Sequence, residues 1–280
     1  MCMARKNIFE ILNEKVNIDT EINKIKRLVL EATIEETMSA YNIVEFVDEF
    51  CLHDWKQRGR YISCEEIKEA LDLGLFEQMT CSYTDEEILI YLEYLCNLMW
   101  LCNRYLNEQD YYRASLEYIY LCENIASIVD SLNYEIQEFP DEEKVLIVEK
   151  NAAATAVAEI VESNIAYEII EYNHHLMKGD IGRKQKILKV LADKIEPMRS
   201  ELKKIDKELE SNVGYLLNKM NIRHNNVEGK NAIEYVKNLS DEELEAWYDE
   251  TYQMLLLCIL EYDNIERNKK VVDLKKIIEQ

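Results

Sequence analysis

The sequence predicts an all-α protein, with long antiparallel helices packed in one or two bundles. Three observations predict it. Only six Gly and two Pro punctuate 280 residues, too few for the tight turns of a β-sandwich or barrel. The segments Ser63-Cys64-Glu65-Glu66, Thr84-Asp85-Glu86-Glu87 and Ser240-Asp241-Glu242-Glu243 each place Glu three residues after a Ser or Thr. In each, the hydroxyl can accept an early helical N–H while the Glu reaches back to the cap, and the extra acids suit the positive end of the helix dipole. Finally, Ile187, Leu191, Ile195, Met198, Leu202, Ile205, Leu209, Val213 and Leu216 recur at steps of three and four, the spacing of one buried helix face.

The elements follow in order. A first helix is expected over about 4–15, and Asp19 or Thr20 opens a helical stretch to about 57, broken once. Gly59 and Gly74 bracket a short helix after Ser63, and helices follow over about 85–106 and 108–136. Pro140-Asp141-Glu142-Glu143 reads as a fourth start, with Asp141 as cap, opening a long helix over about 141–177. Ala152-Ala153-Ala154 in that stretch permits close helix approach. Gly179 and Gly182 mark a turn before a helical segment over about 183–223. Pro197 lies inside that segment without disturbing its apolar phase, which predicts a kink or restart. A loop over 224–230, a short helix near 230–238 and a final long helix from 241 complete the chain.

Charge is segregated along the chain. The formal net charge is -22, a field that repels nucleic acid and anionic membranes unless a basic patch intervenes. Residues 31–100 hold 16 acidic and 4 basic side chains, whereas residues 178–207 hold 10 basic and 5 acidic. The basic stretch reads first as a solvated helix face. Docking against the acidic half and a phosphate or RNA surface remain open. The shift near Pro140 divides the chain into an acidic helical domain over 1–139 and a helical-bundle domain over 140–280. No apolar run approaches the ~20 residues needed to span a bilayer, and no leader follows the first basic residues. The eight cysteines form no C-x-x-C pair and read as reduced, buried thiols. A cytoplasmic protein without membrane contact is expected.

Several constellations bear on chemistry. Glu171-Tyr172-Asn173-His174 has the Glu-x-x-His spacing of di-iron bundles, but those sites need a second such unit. With His53, His174, His175 and His224 the only histidines, none exists. Cys51, His53 and Cys64 match no zinc-knuckle spacing. No metal and no cofactor is therefore expected. Eighteen Tyr against five Phe, with Tyr91, Tyr94, Tyr105, Tyr111, Tyr112, Tyr118 and Tyr120 close together, read as semi-polar packing or a subunit interface.

The most pointed segment is Leu217-Asn218-Lys219-Met220-Asn221-Ile222-Arg223-His224-Asn225-Asn226, where a long amphipathic helix ends. One reading is structural: Arg223 and His224 suit a helix C-terminus, and Asn225 or Asn226 the left-handed cap. The other is catalytic. Arg223 holds a phosphate by a bidentate fork, and His224 moves a proton to or from a ribose oxygen. Asn221, Asn225 and Asn226 bind and orient the group.

At Arg223-His224 the chain resembles the HEPN superfamily, whose motif begins with Arg and a polar residue and ends in a His a few positions later. Glu228-Gly229-Lys230 stand where that His would fall. The resemblance extends by helix pattern over about 140–280. It implies a helical, homodimeric domain of the prokaryotic phage-defence type, cleaving or binding RNA without metal, with Arg223 and His224 as candidates. The residues by themselves favour a different function: a cytoplasmic interaction or scaffold protein that self-associates, or binds a basic protein partner through its acidic N-terminal half.

Overall fold

The computed structural model describes residues 17–77 and 83–279. The helix expected over 4–15 lies outside them. The described chain is mostly helical, with two small antiparallel sheets among the helices. It forms two compact units, dividing after Ile147. Pro140, where composition shifts, lies in a hairpin turn of the first unit.

In the first unit, Asn17 rather than Asp19 or Thr20 caps α1 (Ile18–Glu31), accepting the Thr20 N–H at 3.0 Å. The stretch expected to stay helical to about 57 does not. Ala32 turns extended, and the β-branched pair Thr33-Ile34 opens strand β1 (Thr33–Glu35). It pairs on either side with β2 (Ala40–Asn42) and β3 (Arg113–Ala114), both antiparallel, with Ile34 opposite Tyr41 and Ala114. Asn42 and Glu45 form a capping box on the short α2 (Ile43–Phe46), which runs into a π-helical turn at Val47–Cys51. Ser63 caps α3 (Cys64–Ala70) and Thr84 caps α4 (Asp85–Glu108), as their spacing predicts.

Helix α4 is apolar nearly all round and runs through the core, burying Ile88, Leu92, Leu95, Leu98 and Cys102. The helix expected over 108–136 shortens to α5 (Leu116–Ser131). Its cap, Ser115, also accepts the Thr33 N–H and donates its own N–H to the Thr33 carbonyl, which ties helix start to sheet edge. Helix α5 packs on α1.

The long helix expected over 141–177 is overturned. Strands β4 (Tyr134–Phe139) and β5 (Lys144–Glu149) form a hairpin there instead. Pro140–Glu142 make a single 3-10 turn, Glu143 closes it at φ 53°, and Asp141 caps no helix. The β-branched run through Val145, Ile147 and Val148 then favours strand.

In the second unit, Asn151 caps α6 (Ala152–Ala158), and α7 (Ser163–Glu171) follows after a turn. Asp180 caps α8 (Ile181–Ile195). Pro197 sits in a 3-10 turn, and the chain restarts as α9 (Arg199–Ile205). A second restart was hidden by the unbroken apolar phase. Asp206 accepts the N–H groups of Glu208 and Leu209 and caps α10 (Lys207–Lys219). After the short α11 (Glu234–Lys237), a Ser240/Glu243 capping box opens α12 (Asp241–Ile278). Its first half crosses the unit's core, where Tyr248, Tyr252, Leu255 and Leu256 are fully buried against α8 and α10. No helix among the described residues is long and apolar enough to cross a membrane.

Half of the ten basic side chains over 178–207 pair with acids of their own unit. Lys184, nearly buried, meets Glu245 at 2.7 Å and Asp249 at 2.6 Å. Arg183 pairs with Glu171, Lys194 with Glu162 and Arg199 with Glu210.

Candidate functional site

Helix α10 ends at Lys219 with Met220 as its C-cap, and Asn221 takes the left-handed conformation at φ 57°. The sequence reading placed Asn225 or Asn226 there. Asn221 and Asn226 are instead locked as a reciprocal pair, each side-chain oxygen accepting the other's backbone N–H at 3.0 Å. Asn226 is buried and also donates to the Asn231 carbonyl at 3.2 Å. Asn225 accepts from Val227 and Glu228 N–H at 3.1 and 2.9 Å. The Asn221 carbonyl accepts from Gln185 Nε2 and, at 3.4 Å, from the Tyr248 hydroxyl. All three candidate binding asparagines thus spend side-chain groups on the backbone of their own loop.

Arg223 is likewise engaged. Its Nη2 donates to the Ala192 carbonyl at 2.9 Å and to Glu196 at 2.6 Å. It therefore caps the C-terminal turn of α8, a different helix from the one it follows. The hydrogen bond from Arg223 holds the Glu196 carboxyl below its ordinary range, against some desolvation. His224 is exposed and makes no hydrogen bond among the described residues. It stands between two clefts: one of ≈ 440 Å³ lined by Gln185, Lys189 and Arg223, the other of ≈ 610 Å³ lined by Asn218, Lys219 and Lys230. The structure brings Arg223 and His224 to one rim, with Nη2 of the guanidinium already engaged.

The other constellations take structural places. Glu171 ends α7 and pairs with Arg183 and the Tyr167 hydroxyl. His174 lies in the following turn, where its backbone bridges to Val148. Cys51 and Cys64 are buried while His53 is exposed beside Asp54, so they form no ligand group among the described residues. Burial pushes the Cys51 thiol up to about 12. Tyr94 and Tyr118 are core residues whose hydroxyls reach the Cys64 and Met99 carbonyls. Tyr105 and Tyr112 pack edge-on against Phe46 at 5.4 and 5.3 Å.

The surface that stands out lies on α12. From Glu266 to Glu279 every residue is exposed. Five large apolar side chains lie in that stretch, among them Leu274 at 54% and Ile278 at 73% exposure. Four of them, Val271, Leu274, Ile277 and Ile278, fall within about 120° of arc at 100° per residue. Leu257, Leu260, Asn264, Arg267, Val271, Leu274 and Ile278 are spaced 3-4-3-4-3-4, the seam of a two-stranded coiled coil. The sequence reading missed this heptad spacing, although it is legible in the residues alone. Ion pairs within the helix, Arg267 with Asp263, Lys269 with Glu266 and Lys276 with Asp273, support the arm.

Compared with family models, curated proteins and solved structures, the chain finds no match.

Proposed function

We propose that this chain is a helical interaction protein whose docking surface is the outward seam of the α12 arm. The observation that carries it is the bare heptad stripe from Val271 to Ile278. A helix draws most of its stability from a packed apolar face, and a contiguous exposed apolar stripe marks a binding surface. The acidic stretch over 31–100 plays a supporting part, steering basic partners by its charge. Unpaired thiols at Cys51, Cys64, Cys96, Cys102, Cys122 and Cys258 accord with a reducing, cytoplasmic setting.

The test is photo-crosslinking in the producing cells, with a benzophenone amino acid at Leu274 and, as control, at Lys276 on the opposite face. The expected result is a protein adduct from position 274 well above that from 276. Equal labelling at both positions overturns the reading.

A second, RNA-directed reading, the HEPN-like defence type, has the exposed His224 between two polar clefts in its favour. Purified protein that cleaves RNA in EDTA, and loses this on Arg223→Ala, would put it first.

A further inference from the structure

Resting on the interaction reading, we infer that the occupant of the α12 seam is the α12 seam of a second copy of this chain, running antiparallel. The seam from Leu257 to Ile278 offers about 33 Å of helix at 1.5 Å per residue, three heptads, enough for a specified pair. Its polar positions decide the direction.

In a parallel pair, like positions meet across the seam. Arg267 would then face Arg267, and Lys270 would lie beside Lys275 of the other copy, with no acid at either place. In an antiparallel pair, one register resolves both conflicts. It sets Leu257 opposite Leu274, Leu260 opposite Val271 and Asn264 opposite Arg267, each layer occurring twice by the two-fold symmetry. Asn264 Oδ1 can accept from the facing guanidinium, so each polar seam residue meets a complementary one. The same register places Asp263 beside Lys270 on the flank, twice, in attractive pairs. Shifting the register by one heptad puts Lys270 against Lys270 and Arg267 against Val271. Charge and polarity therefore select one orientation and one register.

Within the single chain Asp263 already pairs with Arg267. Self-pairing exchanges this pair: Arg267 turns into the seam towards Asn264, and Lys270 of the second copy takes its place beside Asp263. Leu257 and Leu260 lie at the edge of the unit's body, the first exposed and the second half-buried. The seam therefore runs from the folded core out along the arm.

The experiment is sedimentation equilibrium of the full chain, with circular dichroism to verify unchanged helix content. The wild-type chain is expected to be a dimer that Leu274→Glu dissociates. Lys270→Asp decides the orientation. Antiparallel pairing sets the new Asp beside Asp263 and weakens the dimer by about tenfold, and Asp263→Lys/Lys270→Asp restores it. Parallel pairing predicts the opposite sign, because Lys270→Asp relieves Lys270–Lys275 repulsion; a tighter dimer overturns the inference. A wild-type monomer at all concentrations also overturns it. Crosslinks from position 274 to a different protein would then leave the interaction reading standing, and none at all would remove both.

Discussion

Asn97 and Val145 bind each other as two strands would. Asn97 Nδ2 donates to the Val145 carbonyl at 2.8 Å, and the Val145 N–H donates to Asn97 Oδ1 at 3.0 Å. Side chains one helical turn apart thus satisfy a strand, since Glu93 also accepts the Ile147 N–H at 2.7 Å. Val145 is buried, so losing the amide orphans a donor and an acceptor. Asn97→Ala is expected to lower stability by about 2 kcal/mol, read as a lower urea midpoint by tryptophan fluorescence. An unchanged midpoint would show that the hairpin stands without the clamp.

Lys184 gives the second unit an acid-sensitive joint. Burial raises the Glu245 carboxyl, but Lys184 and the Gly179 N–H outweigh this, and the net shift is downward. A carboxyl depressed in the folded state contributes stability above its unfolded value, lost as pH falls through the folded one. Stability should therefore hold at neutral pH and decline below the ordinary carboxylate range. Lys184→Met is expected to cost about 3 kcal/mol at pH 7 and to flatten that decline, as followed by thermal melts across pH.

Asn221 separates two kinds of contribution. Asn221→Gly keeps the left-handed backbone but removes the acceptor for the Asn226 N–H. Asn221→Ala removes both. The expected losses are about 1 kcal/mol for Gly and about 2 for Ala, by denaturant titration. Equal losses would mean that the conformation carries no cost.

The buried thiols should be chemically silent. Burial raises Cys96 and Cys102 well above the usual range and Cys258 to about 12. The thiolate is the reactive form, so iodoacetamide at pH 8 should leave these three unlabelled in the native protein and label them in urea. Peptide mass spectrometry reads the difference, and native labelling at Cys102 would contradict its placement.

What the sequence revealed was local. Ser63, Thr84 and Ser240 cap where their spacing says, because an N-cap and its Glu lie three residues apart. The hairpin over 134–149 was hidden because Pro140-Asp141-Glu142 mimics a helix start. The residues that satisfy its strand backbone, Asn97 and Glu93, lie 48 and 54 positions away from their partners. Arg223 is likewise remote in sequence from its acceptors, 31 and 27 residues upstream. A single sequence offers no sign that an arginine after one helix will cap another. The α12 seam escaped notice for a different reason. Its apolar residues lie on a face rotated from the core stripe of Tyr248, Tyr252 and Leu255, and two stripes on one helix blur each other's periodicity.

That shared helix has a thermodynamic consequence. Tyr252 and Ile278 belong to one uninterrupted helix, so the surface at the rod's far end is continuous with the core of the second unit. A ligand that binds the tip only in its folded form stabilises the unit through mass action, and the thermal midpoint of this unit becomes a gauge of occupancy about 40 Å away.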